Sequence, residues 1–185
     1  MGIFFIVVGV IGLACILMYN SLISKKNQID NIFGSVDAVL KQRYDLIPNL
    51  VATAKEYMTH ERETLEKITA LRSQAMSGNL DTNTKMELDT KISKALGGLM
   101  VAVENYPDLK ANENFLHLQH TLNELEEHIA AARRAYNQSV TDYNNAIEMF
   151  PTNIMAGFMH LTRKNVFETP ENERSNVDVN NLFNR

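Results

Sequence analysis

Residues 112–151 read NENFLHLQHTLNELEEHIAAARRAYNQSVTDYNNAIEMFP. Apolar or aromatic side chains recur at Phe115, Leu118, Leu122, Leu125, Ile129, Ala132, Tyr136, Val140, Tyr143, Ile147 and Phe150. The steps are threes and fours throughout, so all of them fall on one side of an α-helix. A stripe this long and regular is the seam of an antiparallel helical bundle. Asn112 is a suitable N-cap for the helix, and Pro151 stops it.

Working outward, the same period appears in three further segments. Ile29, Ile32, Phe33, Val36, Val39 and Leu40 form one stripe. Ile47, Leu50, Val51, Ala54, Met58, Leu65, Ile68, Leu71 and Ala75 form a second, with Arg72 near its end. Met86, Ile92, Leu96, Leu99 and Val103 form a third, closed by Asn105-Tyr106-Pro107-Asp108. Gly78-Asn79 is a helix stop and Asp81 or Thr82 a restart. Between the first two stripes lies Tyr44-Asp45-Leu46-Ile47-Pro48-Asn49-Leu50. Asp45 can cap a new helix with Pro48 in its first turn, which favours a break there over one long kinked helix. The expected fold is all-α: a membrane helix continuing into an antiparallel four-helix bundle. On that path Tyr44–Pro48 and Asn105–Asn112 share the distal pole, and Gly78–Asp81 and Phe150 lie at the membrane pole. Tyr44, Asp45, Asn49, Tyr106 and Asp108 then form a polar pole. They serve either as helix caps or as a partner-docking surface.

The membrane assignment rests on Gly2 to Met18, GIFFIVVGVIGLACILM, with no charge before Lys25. As a helix, residues 2–24 rise about 34 Å, enough for a hydrocarbon core of roughly 30 Å. Nothing basic precedes the run, no clean A-x-A follows it, and Gly12 sits where a lipoprotein signal before Cys15 wants an aliphatic residue. We expect an uncleaved single span. Tyr19 sits at its interface. Lys25, Lys26, Lys41 and Arg43 all follow it, which places the domain on the cytoplasmic side of the membrane. The chain divides into an anchor (1–24), a bundle (25–150), a short amphipathic or capping segment (151–167) and a polar tail (168–185), pinned by Phe167 or by Leu182-Phe183. Over 150–164, Phe150, Ile154, Met155 and Phe158 with Arg163 and Lys164 are candidates for contact with the membrane interface. The alternative is a helix that closes the base of the bundle.

Several of these stretches together resemble the LemA family: Tyr19-Asn20, Arg43 to Val51 (RYDLIPNLV), His60-Glu61-Arg62-Glu63, Glu104 to Ala111 (ENYPDLKA), Arg133-Arg134-Ala135-Tyr136-Asn137 and Tyr143-Asn144. The resemblance covers about residues 19–168. It implies a bacterial membrane protein with one N-terminal span, an α-helical bundle and no established enzymatic activity. Family members are linked loosely to envelope stress and membrane organisation.

Composition and motifs point away from chemistry. The chain has 185 residues, of which 45% are hydrophobic and 22% charged, enough for a core. Eight glycines and four prolines are too few for a turn-rich β fold. One cysteine excludes an intramolecular disulfide framework. Eighteen basic residues against 22 acidic ones give no broad cation field for nucleic acid. No histidine follows a glutamate by three residues, so the usual di-iron bundle motif is missing. His117, His120, Glu124, Glu127 and His128 lie on one side of the last helix, where they could hold zinc. They flank the apolar stripe, which favours a solvated face. Arg133, Arg134 and Asn137 are expected to be half-buried and bonded to acidic groups on other helices. No cofactor is expected. The expected partners are the lipid bilayer, further copies of the chain and a second membrane protein.

Overall fold

The computed structural model describes residues 1–78 and 80–167. It is all-α, with no strand among the described residues. The elements are α1 (Gly2–Tyr57), α2 (Arg62–Ala75), α3 (Thr82–Val103), α4 (Pro107–Lys110), α5 (Glu113–Glu148) and α6 (Thr152–Phe158). The expectation for the tail at 168–185 lies outside the described residues.

The expected break at Tyr44–Pro48 does not occur. Helix α1 runs unbroken for 56 residues with Pro48 inside it. Proline lacks an N–H, so the carbonyl one turn earlier, that of Tyr44, loses its helical partner. Arg72 on α2 replaces it, with Nε donating to the Tyr44 carbonyl at 2.7 Å. The first turn of the bundle therefore falls at Met58–Glu61, about 20 Å of helix rise beyond Tyr44. Its counterpart across the pole is the α3–α5 connection. There the Asn112 side chain accepts from Phe115 N at 3.0 Å and donates through Nδ2 to the Tyr57 hydroxyl at 3.1 Å.

Helices α1, α2, α3 and α5 run up, down, up and down, with α1 and α5 packed most extensively. Their shared core includes Ile29, Val36, Leu40, Ile47, Leu50, Ile68, Ile92, Leu99, Phe115, Ile129 and Val140. The α2–α3 hairpin is shorter than α1 and α5. Asp81 caps α3, accepting from Asn83 N at 2.9 Å and Thr84 N at 3.0 Å. One turn later Lys85 pairs with Asp37 at 2.6 Å. Asp37 lies about 20 Å of helix rise beyond Ser24. The start of α3 at Asp81, expected at the membrane pole, therefore lies well short of the end of the apolar segment rather than beside it.

Below that turn the bundle is completed differently. Helix α6 packs against both α5 and α1, and residues 161–167 then run back along α5 without helical structure. On this strap Phe167 is buried against Tyr136, with ring centroids 5.1 Å apart at 79°.

Candidate functional site

Two regions carry groups that could act on something outside the bundle: the base around α6, and the strap with the helix face that holds it. A third region, in mid-bundle, is ionic and internal.

At the base, every residue from Met1 to Ala14 is exposed, Cys15 and Met18 are partly covered, and Leu22 is buried. Levels along the bundle follow from the polar contacts. Lys164 pairs with Asp30 on α1 at 3.5 Å, and its main chain bonds Asn144 on α5. Asn144 thus stands near Asp30, and α5 ends one turn lower at Glu148. Helix α6 continues below that end and packs beside the last turns of the apolar segment. It buries Ala156 inward and leaves Phe150 (79%), Ile154 (55%) and Phe158 (78%) exposed, with Met155 partly buried. Tyr19 is 47% exposed on α1 at the same base. Arg163 pairs with Glu148 at 2.7 Å, an exposed contact. The six side chains of the base and Tyr19 therefore share one end of the molecule, with both cations already engaged by acidic neighbours.

The polar-pole residues are not gathered in the way expected. With α1 unbroken, Tyr44, Asp45 and Asn49 lie about two to four turns short of its C-terminal end. Tyr44 is buried, its hydroxyl pKa raised by burial against the opposing pull of Arg43. Asp45 pairs with Lys41 at 2.7 Å on the surface, and Asn49 is exposed. Tyr106 and Asp108 do stand at the pole, beside Tyr57 and Asn112.

In mid-bundle, Arg43 and Asp89 are fully buried. Arg43 bonds Asp89, Glu126 and Ser93 Oγ, the last at 2.8 Å, and Arg133 bonds the second oxygen of Asp89. One carboxylate between two guanidinium groups thus ties α1, α3 and α5 together. The expected acidic contact of Arg133 is present. Arg134 is exposed, and Asn137 has a different partner.

That partner is the strap. Asn137 Nδ2 donates to the Phe167 carbonyl at 3.1 Å and its Oδ1 accepts from Phe167 N at 2.7 Å. Asn144 repeats this on Lys164, at 2.9 Å and 3.0 Å. The Tyr143 hydroxyl donates to the Thr162 carbonyl at 3.1 Å. The Arg133 guanidinium lies 5.7 Å from the Phe167 ring centre, and Phe33 meets Tyr136 edge-on at 5.8 Å. Burial raises the Tyr143 and Tyr136 hydroxyl pKa values, with Asp30 adding to the second. Sequence patterns missed this arrangement, because the strap is recognised through its main chain. The available signal was a pair of asparagines one heptad apart beside an apolar seam.

The histidine face of α5 points outward. His117, His120, Glu124, Glu127 and His128 are all exposed, and His120 Nδ1 stands 3.7 Å from Glu124 Oε1. Among the described residues, no three His, Cys, Asp or Glu side chains are grouped to hold a metal ion.

Comparison with known proteins agrees with the architecture. The model of the LemA family matches residues 32–181. Protein LemA of Metamycoplasma hominis is 31% identical over 181 residues, covering 98% of this chain and 83% of the relative. Magnetosome proteins MamQ 1 and MamQ 2 of Paramagnetospirillum magneticum are each 34% identical over 80 residues, which is 43% of this chain and 29% of theirs. A long apolar helix leading an all-α bundle, a family match over most of the length and a near full-length relative lead to one conclusion: this chain belongs to the LemA family.

Proposed function

We propose that the protein is a non-enzymatic, membrane-anchored helical scaffold that works by self-association or by docking a membrane partner, in the service of membrane organisation or envelope stress. Its apolar segment spans the plasma membrane once and its bundle stands in the cytoplasm, following the lysines after the span. The supporting observation is the position of α6. Residues 2–14, free of any packing, rise only about 20 Å, short of the roughly 30 Å of a hydrocarbon core. A span of roughly 30 Å from Gly2 reaches residue 21, just short of buried Leu22, which on this reading brings lipid to the level of α6, where Phe150, Ile154 and Phe158 are exposed. Such an anchored base fixes the height and tilt of the bundle and confines copies to a plane, where weak lateral contacts suffice. The test is the mass of the full chain in mild detergent or nanodiscs. An oligomer or a stoichiometric membrane partner is expected. A strict monomer at high concentration with nothing bound contradicts the proposal.

The same three side chains favour a second reading, membrane remodelling by residues 150–164. An apolar helix inserted into one leaflet only expands that leaflet. Vesicle deformation by the full chain that disappears in Phe158→Ser supports this reading, and unchanged vesicle shape with both proteins removes it.

A further inference from the structure

The strap and its clamp fit each other by repeat length. Along residues 161–167 the inward positions are Leu161, Lys164 and Phe167, while Thr162, Arg163, Asn165 and Val166 are exposed. A period of three is that of an extended polyproline II strand, which advances about 9 Å per three residues. Asn137 and Asn144 are one heptad apart on α5, about 10.5 Å of rise. Each amide therefore reads one rung of the strap, and all four bonds go to main-chain N–H and C=O groups. Side-chain selection falls on one position, the aromatic ring seated between Tyr136 and the Arg133 guanidinium. This is a receptor for an extended peptide with an aromatic anchor.

We propose that the strap of a second copy of this chain occupies this receptor by reciprocal exchange. The inference rests on the self-association reading and supplies its mechanism. In an exchanged pair every clamp contact is remade, so the hinge and the local concentration decide the balance. The hinge is at His160. It closes α6 with φ 50°, in the left-handed region, with His160 N bonded to Gly157 O at 3.1 Å and Leu161 N to Ala156 O at 3.0 Å. That helix-ending position suits glycine, and a histidine there disfavours the closed turn. Opening the hinge releases this strain. The outer side of the strap borders a cleft of about 770 Å³ lined by Asn83, Met86, Glu87 and Thr90, so no helix has to leave for the strap to lift. A common anchor holds all copies at one height, which keeps strap and receptor in register across the plane. Lys164 is four residue steps from the hinge, a reach of roughly 13 Å, so the two copies stand groove to groove about a two-fold axis along the membrane normal.

The test uses two differently tagged full-length variants, co-expressed and kept in vesicles. Both carry Cys15→Ser. One carries Asp30→Cys and the other Lys164→Cys, at side chains that pair at 3.5 Å within one copy. A short bismaleimide is added. Exchange predicts a mixed cross-linked dimer far in excess of either same-variant dimer. His160→Gly lowers the mixed product about fivefold per strap by relaxing the closed turn. Mixed product no greater than the same-variant products, in a sample that is oligomeric by mass, overturns exchange and leaves self-association through another surface standing. A monomer by mass overturns both.

Discussion

The Tyr44 carbonyl is the acceptor orphaned by Pro48, and Arg72 reaches it from a different helix. A buried carbonyl without a donor costs about 1–3 kcal/mol, enough to decide between a straight helix and a break. Arg72→Ala should therefore lower the unfolding free energy of the bundle by about 2 kcal/mol. In a Pro48→Ala background the backbone N–H returns and the same substitution should cost clearly less. A double-mutant cycle by urea denaturation measures the difference, and equal costs in both backgrounds would refute the replacement. The Asp89 carboxylate poses the opposite problem, since it balances two guanidinium groups out of water. Asp89→Asn keeps the shape and removes the charge that the two guanidinium groups share, leaving Arg43 with Glu126 as its remaining carboxylate. A loss of about 3 kcal/mol or more is expected, seen as a lower denaturant midpoint.

At the scale of the element, the starts of α3 and α5 were legible because caps are local, whereas the start expected at Asp45 lies inside α1. Asp81 and Asn112 do what their position before a helix suggests. Most of the α5 stripe was legible for the same reason. Phe115, Leu122, Ile129, Tyr136, Val140, Tyr143 and Ile147 are all buried. Phe150 departs from the stripe because α5 ends at Glu148 and the chain turns into α6. The end of α1 was not legible. Its decisive donor is Arg72, on the next helix, and no local pattern marks it. Phe167 was expected to pin the chain and is buried, but the asparagine clamp was not legible, because asparagine amides read main chain, which every sequence has. The cap of α3 also gives a pH prediction. Hydrogen bonds from the Thr84 side chain and N–H hold the Asp81 pKa below the usual carboxylate value. Its contribution is present above the unfolded carboxylate pKa and is lost as pH falls through the lower folded value. Asp81→Asn should flatten the acid side of the stability–pH curve, measured as the thermal midpoint between neutral pH and pH about 3. An unchanged acid limb would show that the cap does not couple to folding.

At the scale of the whole molecule, up-down-up-down packing followed from four apolar stripes, as the helical periods required. What the periods could not supply was height. Moving the first turn from Pro48 to Met58–Glu61 lengthens α1 and shortens α2, so the α2–α3 hairpin stops above the base. Helix α6 and the strap complete the lower half and bring three large exposed apolar side chains beside the end of the long apolar segment. The central claim is that this base lies in lipid. The chain has no tryptophan, so a single one can report on one position. Phe158→Trp and, as a reference, Val101→Trp (Val101 is 74% exposed on α3) should be reconstituted into vesicles carrying brominated acyl chains. The account predicts blue-shifted emission and strong bromine quenching at position 158, with neither at 101. Water-like emission at 158, quenched no more than at 101, would contradict it.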